Sequence, residues 1–262
     1  TLIVTTLALG GCASMDGVTT SVLAEHRVEH VAAGSGMPTV VFENGLGGRL
    51  EWWSKILPEI AKETAVFAYN RPGIGASAPE TTPRDGATIV EELRATLRAK
   101  GIAPPYLLVG HSSGGLYVQL YARRHPDEVA GLVLVDSTHP EQLSGAGARE
   151  NWPLSVKLAF DATLSGAARQ ELEALPTTGS ELMALPPFTG KPVIVLSAAQ
   201  PMKETSDLAR DSNAKRIDIA RLNPGSRQVW VDSGHAIPLE KPEAVIAAVR
   251  DILATPAHRK PG

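Results

Sequence analysis

Short apolar runs alternate with amphipathic segments along most of this 262-residue chain. Runs of β-branched and aliphatic residues predict buried strands, at 26–33, 38–43, 64–69, 105–109, 130–136, 191–196 and 226–231. Apolar residues three or four positions apart predict helices, at 51–62, 88–100, 116–124 and 242–253. Strands that alternate with helices indicate βαβ units. The pattern therefore predicts an α/β fold, with a mostly parallel central sheet and helices on both faces.

This alternation is interrupted between residues 137 and 190, where the strand pattern is lost. Amphipathic pieces at 156–164 and 167–175 predict helices, and Pro176 marks the expected end of the second. An insertion after a parallel strand can cover the strand ends, where α/β proteins bind ligands. We therefore predict one domain over residues 21–255, with a helical lid at about 137–190 and a flexible tail at 256–262.

The first 20 residues differ in composition from the rest. An apolar run at 2–9 precedes Cys12, the single cysteine, and a polar stretch follows. The run is shorter than the roughly 20 residues of a membrane-spanning helix. It resembles the end of a bacterial signal peptide, and residues 9–12 resemble a lipobox. This resemblance implies an exported protein, periplasmic or membrane-anchored through a lipidated Cys12; an ordinary secretory signal or a frayed apolar N-terminus is the alternative.

Charge excludes one class of partner. The net charge is −3 and the chain has no basic stripe, so we expect no nucleic-acid partner. We expect neither a cofactor nor a metal ion, and the sequence does not indicate the oligomeric state.

The strongest candidate for chemistry lies at residues 107–115. Three apolar residues lead into Gly110-His111-Ser112-Ser113-Gly114, and a predicted helix follows. Gly-x-Ser-x-Gly between a strand and a helix is typical of a nucleophile elbow, a sharp turn that exposes a serine hydroxyl. The strain and crowding of such a turn favour glycine at its flanks. Ser112 is therefore the predicted nucleophile.

A serine nucleophile needs a neighbouring base, and the chain has seven histidines. His235 follows the last predicted strand, which agrees with the chain order serine, acid, histidine. We predict His235 as the base, with His139 as the second choice. His111 is expected to pack or hydrogen-bond beside the elbow, and both His111 and His139 are candidates to line the pocket.

The acid that orients the histidine remains open at this point. Asp136 ends the strand after the elbow unit, and such successive parallel strands are commonly neighbours. Its carboxylate is therefore expected near Ser112, although a turn-capping role is the alternative. Glu204 and Asp207 come after the next-to-last strand. We favour Asp136 and keep Asp207 and Glu204 as alternatives.

Acyl transfer also needs donors for the oxyanion of the tetrahedral intermediate. The backbone N–H of Ser113, at the start of a helix, is one predicted donor. The glycine-rich loop at 44–47 supplies the second, the N–H of Leu46, unless that loop is only a turn. The loop at 70–77 is expected to shape the neighbouring rim, with a structural role for Arg71.

Together these motifs resemble the α/β-hydrolase family of serine esterases and lipases, over residues of about 38–253. The resemblance implies hydrolysis of a small-molecule carboxylic ester through an acyl-enzyme. The same triad also serves lactones, amides, peptides and C–C bonds, and a non-catalytic binding protein on this scaffold is the remaining alternative. The chain departs from the family pattern twice. Asn44 replaces a frequent histidine, and no acid directly follows the next-to-last strand.

Overall fold

The computed structural model describes residues 15–164, 166–200 and 202–255. The predicted lipidation site Cys12, most of the predicted signal segment and the predicted tail at 256–262 lie outside these residues. The described chain forms an eight-stranded sheet. Its strands are β1 (Thr19–Leu23), β2 (His26–Ala33), β3 (Thr39–Glu43), β4 (Val66–Tyr69), β5 (Tyr106–His111), β6 (Val129–Val135), β7 (Val193–Ala198) and β8 (Arg227–Val231).

The strand order across the sheet is β1-β2-β4-β3-β5-β6-β7-β8. Strand β2 is antiparallel to β1 and β4, and every pairing from β4 to β8 is parallel. The predicted fold class is therefore confirmed. Strand β1 was not predicted, and it begins at Thr19, inside the segment 1–20 that the sequence assigned to the leader and linker. β1 has three polar residues followed by two apolar ones and so shows neither alternation nor a long apolar run; its pairing with β2 identifies it as a strand.

Helices cover both faces of the sheet. They are α1 (Leu57–Ile60), α2 (Gly86–Ala99), α3 (Ser113–Arg124), α4 (Leu154–Thr163), α5 (Gly166–Ala184), α6 (Asp207–Asp218), α7 (Ile237–Glu240) and α8 (Pro242–Leu253), with short 3-10 turns at 50–53, 126–128, 145–147 and 149–151. None of the helices in the described part of the chain is both long and apolar enough to cross a membrane.

The central strands are buried on both faces, which explains their continuous apolar runs. Successive side chains of β5 point to opposite faces. Leu108 packs in the core beneath α2, α3 and α5, while Leu107 and Val109 pack in the core beneath α1 and α8. This double burial holds the ends of β5 and β6, and therefore the loops that follow them, in fixed positions.

Two helix predictions need correction, and the sequence pattern missed a third helix. The predicted helix 51–62 is a 3-10 turn followed by the short α1, because Pro58 in the first turn of α1 has no N–H to continue the ladder. Helix α5 continues through Pro176 to Ala184, since Leu172, Leu175 and Leu182 are buried against the core. Helix α6 was not predicted. It is polar, and its one sequence signal is the N-cap Ser206, whose side chain accepts from the N–H of Ala209.

Candidate active site

Ser112 lies at the sharp turn between β5 and α3. Its backbone is strained, with φ 55° and ψ −123°, a conformation that non-glycine residues adopt only when the surroundings impose it. The N–H of Ser112 donates to the carbonyl of Val135 at 3.1 Å, and its carbonyl accepts from the N–H groups of Gly115 and Thr138, both at 2.9 Å. These bonds hold the elbow between the ends of β5 and β6.

The two glycines of the motif are required by close backbone approach. A Cβ atom on Gly110 would lie 2.4 Å from the carbonyl oxygen of Gly114. A Cβ atom on Gly114 would lie 2.4 Å from the carbonyl oxygen of Glu43, at the end of β3. Because both contacts are with backbone, a side chain at either position would displace the elbow. The predicted reason for glycine here is thus found in the structure.

His235 and Asp136 meet beside the elbow. Asp136 directly follows β6, and His235 lies between β8 and α7. The Nδ1 atom of His235 lies 2.7 Å from Oδ2 of Asp136. The other carboxylate oxygen, Oδ1, accepts from the N–H of Ala198 at 3.0 Å. The structure therefore brings together the predicted base and the favoured acid.

Asp136 is held as a carboxylate. Its side chain is only 3% exposed, and such burial by itself would raise its pKa. The hydrogen bond to His235 and the charges of His235 and Arg216 outweigh burial and lower the pKa of Asp136 to about 2. Since a carboxylate only accepts, Nδ1 of His235 carries the proton, and its Nε2 in the neutral ring is free to accept one. This is the tautomer that a general base needs.

Arg216 is a site residue that sequence reasoning missed. From α6, its Nε donates to Oδ1 of Asp136 at 2.9 Å and its Nη2 donates to Oδ2 at 3.2 Å. A bidentate pair of this kind fixes the plane of the carboxylate. No pattern in the sequence indicated this contact, because α6 itself was not predicted and the two residues are 80 positions apart.

His111 anchors the loop that carries His235. Its Nε2–H donates to the backbone carbonyl of His235 at 3.0 Å, and the two rings lie 4.7 Å apart between centroids. Trp52 covers the other side of the His111 ring, at 4.9 Å. Burial lowers the pKa of His111 to about 3, so the ring is neutral. Instead of lining an open pocket, His111 is a buried link between the elbow and the candidate base.

The residues kept as alternatives for the base and the acid make contacts elsewhere. His139, the second choice as base, places Nε2 at 3.2 Å from Asp218, and its Nδ1 accepts from the N–H of Glu141 at 3.0 Å. Asp207 is exposed at the start of α6 and pairs with Arg210. Glu204 accepts from the side-chain amide of Asn213 at 3.3 Å. Among the described contacts of His235, only Asp136 supplies a carboxylate.

The predicted oxyanion donors belong to Ser113, which directly follows Ser112, and to Leu46, which follows Gly45 in the neighbouring loop. Within the described residues, neither Leu46 N–H nor Ser113 N–H donates a hydrogen bond, and Ser113 begins α3, where the helix dipole favours negative charge. A Cβ atom on Gly45 would lie 3.1 Å from Cβ of Ser112, so the loop before Leu46 contacts the nucleophile.

The side chain of Asn44 has a structural role in the same loop. It accepts from the indole N–H of Trp53 at 2.7 Å and donates to the carbonyl of Tyr69 at 2.8 Å. Both ends of the amide are therefore used inside the core, which explains why asparagine is suited to this position. Over the residues that the structure describes, no group of three or more His, Cys, Asp or Glu side chains is placed to hold a metal ion.

The elbow, the histidine after the last strand and the mostly parallel sheet define a class of hydrolases. Residues 38–178, just over half of the chain, match the family described as alpha/beta hydrolase fold. The chain therefore belongs to the α/β-hydrolase family.

The chain is also similar in sequence to other proteins. The chain is 25% identical over 238 residues to the uncharacterized protein YqjL of Bacillus subtilis, covering 86% of this chain and 87% of that protein. It is 30% identical over 112 residues to the putative carbamate hydrolase RutD of Caulobacter vibrioides, covering 42% of this chain and only 41% of that protein.

Solved structures are similar over most of the chain. The enol-lactonase from Burkholderia xenovorans LB400 superposes with a TM-score of 0.68 at 19% identity, covering 90% of this chain and all of that one. A putative lipase from Acinetobacter baumannii AYE superposes with a TM-score of 0.67 at 20% identity, covering 90% of this chain and 91% of that one. At these identities the similarity establishes the fold alone.

Proposed function

We propose that this protein is a serine hydrolase that cleaves carboxylic esters through an acyl-enzyme. The observation that carries the proposal is the 2.7 Å contact between His235 Nδ1 and the ionised Asp136, made beside the elbow that exposes Ser112. A serine hydroxyl is a weak nucleophile until an oriented histidine accepts its proton. All three residues lie in segments that follow the carboxyl ends of parallel strands, where this architecture binds ligands.

In the proposed reaction, Oγ of Ser112 attacks the ester carbonyl carbon while Nε2 of His235 accepts the hydroxyl proton. The N–H groups of Ser113 and Leu46 donate to the resulting oxyanion, and each such donor contributes about 3 kcal/mol. When the tetrahedral intermediate collapses, His235 returns the proton to the leaving alcohol. Water then attacks the acyl-enzyme by the same sequence of proton transfers. Asp136 stabilises the imidazolium that forms in each half of the reaction.

The nucleophile favours esters over two other reactions found on this fold. Members that open epoxides or remove halides use a carboxylate nucleophile, whereas position 112 is a serine. Lactones are cyclic esters and would react by the same steps. Two structures with this fold are described as an enol-lactonase and an N-acyl homoserine lactone degrading enzyme, so lactones belong in the substrate survey.

Labelling of Ser112 by a fluorophosphonate probe tests the proposal without knowledge of the substrate. We expect wild-type protein and Ser180→Ala, which alters an exposed serine of α5, to be labelled and to hydrolyse a short p-nitrophenyl ester. We expect Ser112→Ala to do neither. Retention of most ester turnover in Ser112→Ala would refute the assignment. An unlabelled and inactive wild-type protein would favour a binding function. A chain-length series of esters, with lactone and amide analogues, would then define the substrate.

We also propose that the protein is exported and held at a membrane by a lipid on Cys12. Support for this comes from the sequence of residues 2–12 alone. Metabolic labelling with a fatty-acid analogue in a bacterial host tests it, with Cys12→Ser as the matched control. Equal labelling of the two proteins, or no labelling of either, would contradict the proposal.

A further inference from the structure

Arg71 lies beside the candidate site and has no part in the reaction steps proposed above. Its side chain follows β4 and is only 1% exposed. Nη1 donates to Glu43 and, at 2.7 Å, to the carbonyl of Asn44. Nη2 donates to the carbonyl of Gly45 at 2.9 Å and to Glu171 at 2.7 Å, and Nε donates to Glu171 at 2.8 Å. All five N–H groups of the guanidinium are therefore used.

The bond to Gly45 affects the oxyanion donor because the Gly45 carbonyl and the Leu46 N–H belong to one peptide group. In a planar trans peptide these two groups point in opposite directions. The Gly45 carbonyl is held by Arg71 and also accepts from the N–H of Gly48 at 3.0 Å. The N–H of Leu46 must then point away from Arg71. Ser112 contacts the loop at Gly45, where an added Cβ atom would lie 3.1 Å from Cβ of Ser112.

Glu171 connects this arrangement to the segment between β6 and β7. It lies on α5 and its side chain is fully buried. Helix α5 also packs on the loop at 44–47 that carries Leu46, here called the oxyanion loop, since a Cβ atom on Gly47 would lie 3.4 Å from Cβ of Ala168. Burial by itself would lower the pKa of Arg71, but the charges of Glu171 and Glu43 raise it well above its usual value. The guanidinium thus stays charged and keeps all of its donors.

We propose that Arg71 is a positioning residue that directs the Leu46 N–H toward the oxyanion. Because Glu171 holds Arg71, this orientation depends on the packing of α5 against the sheet. The inference rests on the proposed function and deepens it. If α5 moves away from the sheet, the guanidinium loses two of its five hydrogen bonds and its hold on the Gly45 carbonyl loosens. The packing of α5 would then affect the rate of reaction through the Leu46 N–H.

Three variants test the proposal. Arg71→Met removes all of the donors, and Glu171→Gln keeps one acceptor while removing the charge on α5. Arg123→Lys is the matched control. Arg123 is also a buried arginine that donates to α5, at the carbonyl of Leu182 at 3.0 Å, and its other described hydrogen bonds go to the carbonyls of Leu185 and Leu222 rather than to the oxyanion loop. The first measurement is the second-order rate of fluorophosphonate labelling at Ser112, together with kcat and KM for an ester.

We expect Arg71→Met to lower the labelling rate and kcat by about 100-fold, the effect of losing one oxyanion donor, with little change in KM. Glu171→Gln should lower both by about 10-fold, since one charged hydrogen bond is lost. Arg123→Lys should keep wild-type rates. Wild-type rates in Glu171→Gln would overturn the role of α5. Equal losses in Arg123→Lys and Glu171→Gln would also overturn it, because general destabilisation would then explain both.

The second measurement does not depend on activity. The amide signal of Leu46 in ¹H–¹⁵N NMR spectra reports the environment and exchange of its N–H. We expect this signal to shift, and its hydrogen exchange to change, in Arg71→Met and Glu171→Gln but not in Arg123→Lys. An unchanged Leu46 signal in Glu171→Gln overturns the inference even if Arg71→Met does not fold. A wild-type protein that does not label at Ser112 refutes the proposed function instead, and the NMR result then decides the positioning inference by itself.

Discussion

Replacing Asp136 by asparagine should separate the candidate acid from its alternatives. The substitution removes the negative charge between His235 and Arg216 and turns one acceptor oxygen into an N–H donor. In either of its two orientations the side-chain amide of the asparagine points its N–H₂ group at another N–H donor, because His235 and Arg216 both donate to this carboxylate. The asparagine therefore cannot satisfy both neighbours. It also favours the wrong tautomer of His235, which would carry its proton on Nε2.

The magnitude follows from the environment of the carboxylate. A pKa of about 2 against the usual 3.8 corresponds to about 2 kcal/mol of stabilisation at neutral pH. Because the folded pKa lies below the unfolded one, this stabilisation is complete above about pH 4 and is lost as the pH falls toward 2. We expect Asp136→Asn to unfold about 2 kcal/mol more easily at pH 7, a difference that shrinks below pH 4. Turnover should fall by up to about 10⁴-fold.

Urea unfolding and kcat/KM for a p-nitrophenyl ester measure the two effects. Asp207→Asn is the matched control, because Asp207 is an exposed aspartate on α6 whose side chain is 83% accessible. It should leave both quantities close to wild type. A larger loss of turnover in Asp207→Asn than in Asp136→Asn would refute the assignment of the acid.

Three further predictions follow from neighbouring contacts. His111 has a pKa of about 3 in the folded protein against 6.5 unfolded, so its neutral ring costs stability as the pH falls below 6.5. Unfolding in urea at pH 6.5 and 4.5 should show that His111→Asn loses about 2 to 3 kcal/mol less than wild type over that range; equal losses would contradict it. Gly114→Ala should lower the unfolding temperature by far more than Gly234→Ala, where the added Cβ would meet its nearest atom, Oε1 of Glu240, at an ordinary 3.5 Å; similar shifts in a thermal melt would count against backbone crowding at the elbow. Arg216→Met removes the bidentate pair that fixes the plane of the Asp136 carboxylate, so kcat/KM for a p-nitrophenyl ester should fall by about 10-fold; an unchanged kcat/KM would show that this pair does not orient the carboxylate for His235.

The errors of the sequence interpretation have two physical causes, a missing apolar face in some elements and tertiary packing that outweighs local preference in another. The polar helix α6 and the short strand β1 lack a continuous apolar face, so the periodicity of their residues carries little information. Helix α5 passes through Pro176 because buried side chains on both sides of the proline outweigh its missing N–H. At this proline, tertiary packing outweighs the local preference of the residue. Arg216 lies on α6, which was not predicted, and its contact with Asp136 therefore could not be inferred along the chain.

The sequence alone determined the features whose causes are local. Double burial imposes continuous apolar runs on the central strands, and backbone crowding imposes glycine at 110 and 114 around Ser112. His235 could be chosen from its place after the last strand. Only the tertiary structure shows that Asp136, and not Asp207, meets His235, because that contact depends on which strand ends come together around one imidazole ring. It alone placed Glu171 on Arg71, 100 residues earlier in the chain, since long-range ion pairs leave no periodic trace in a single sequence.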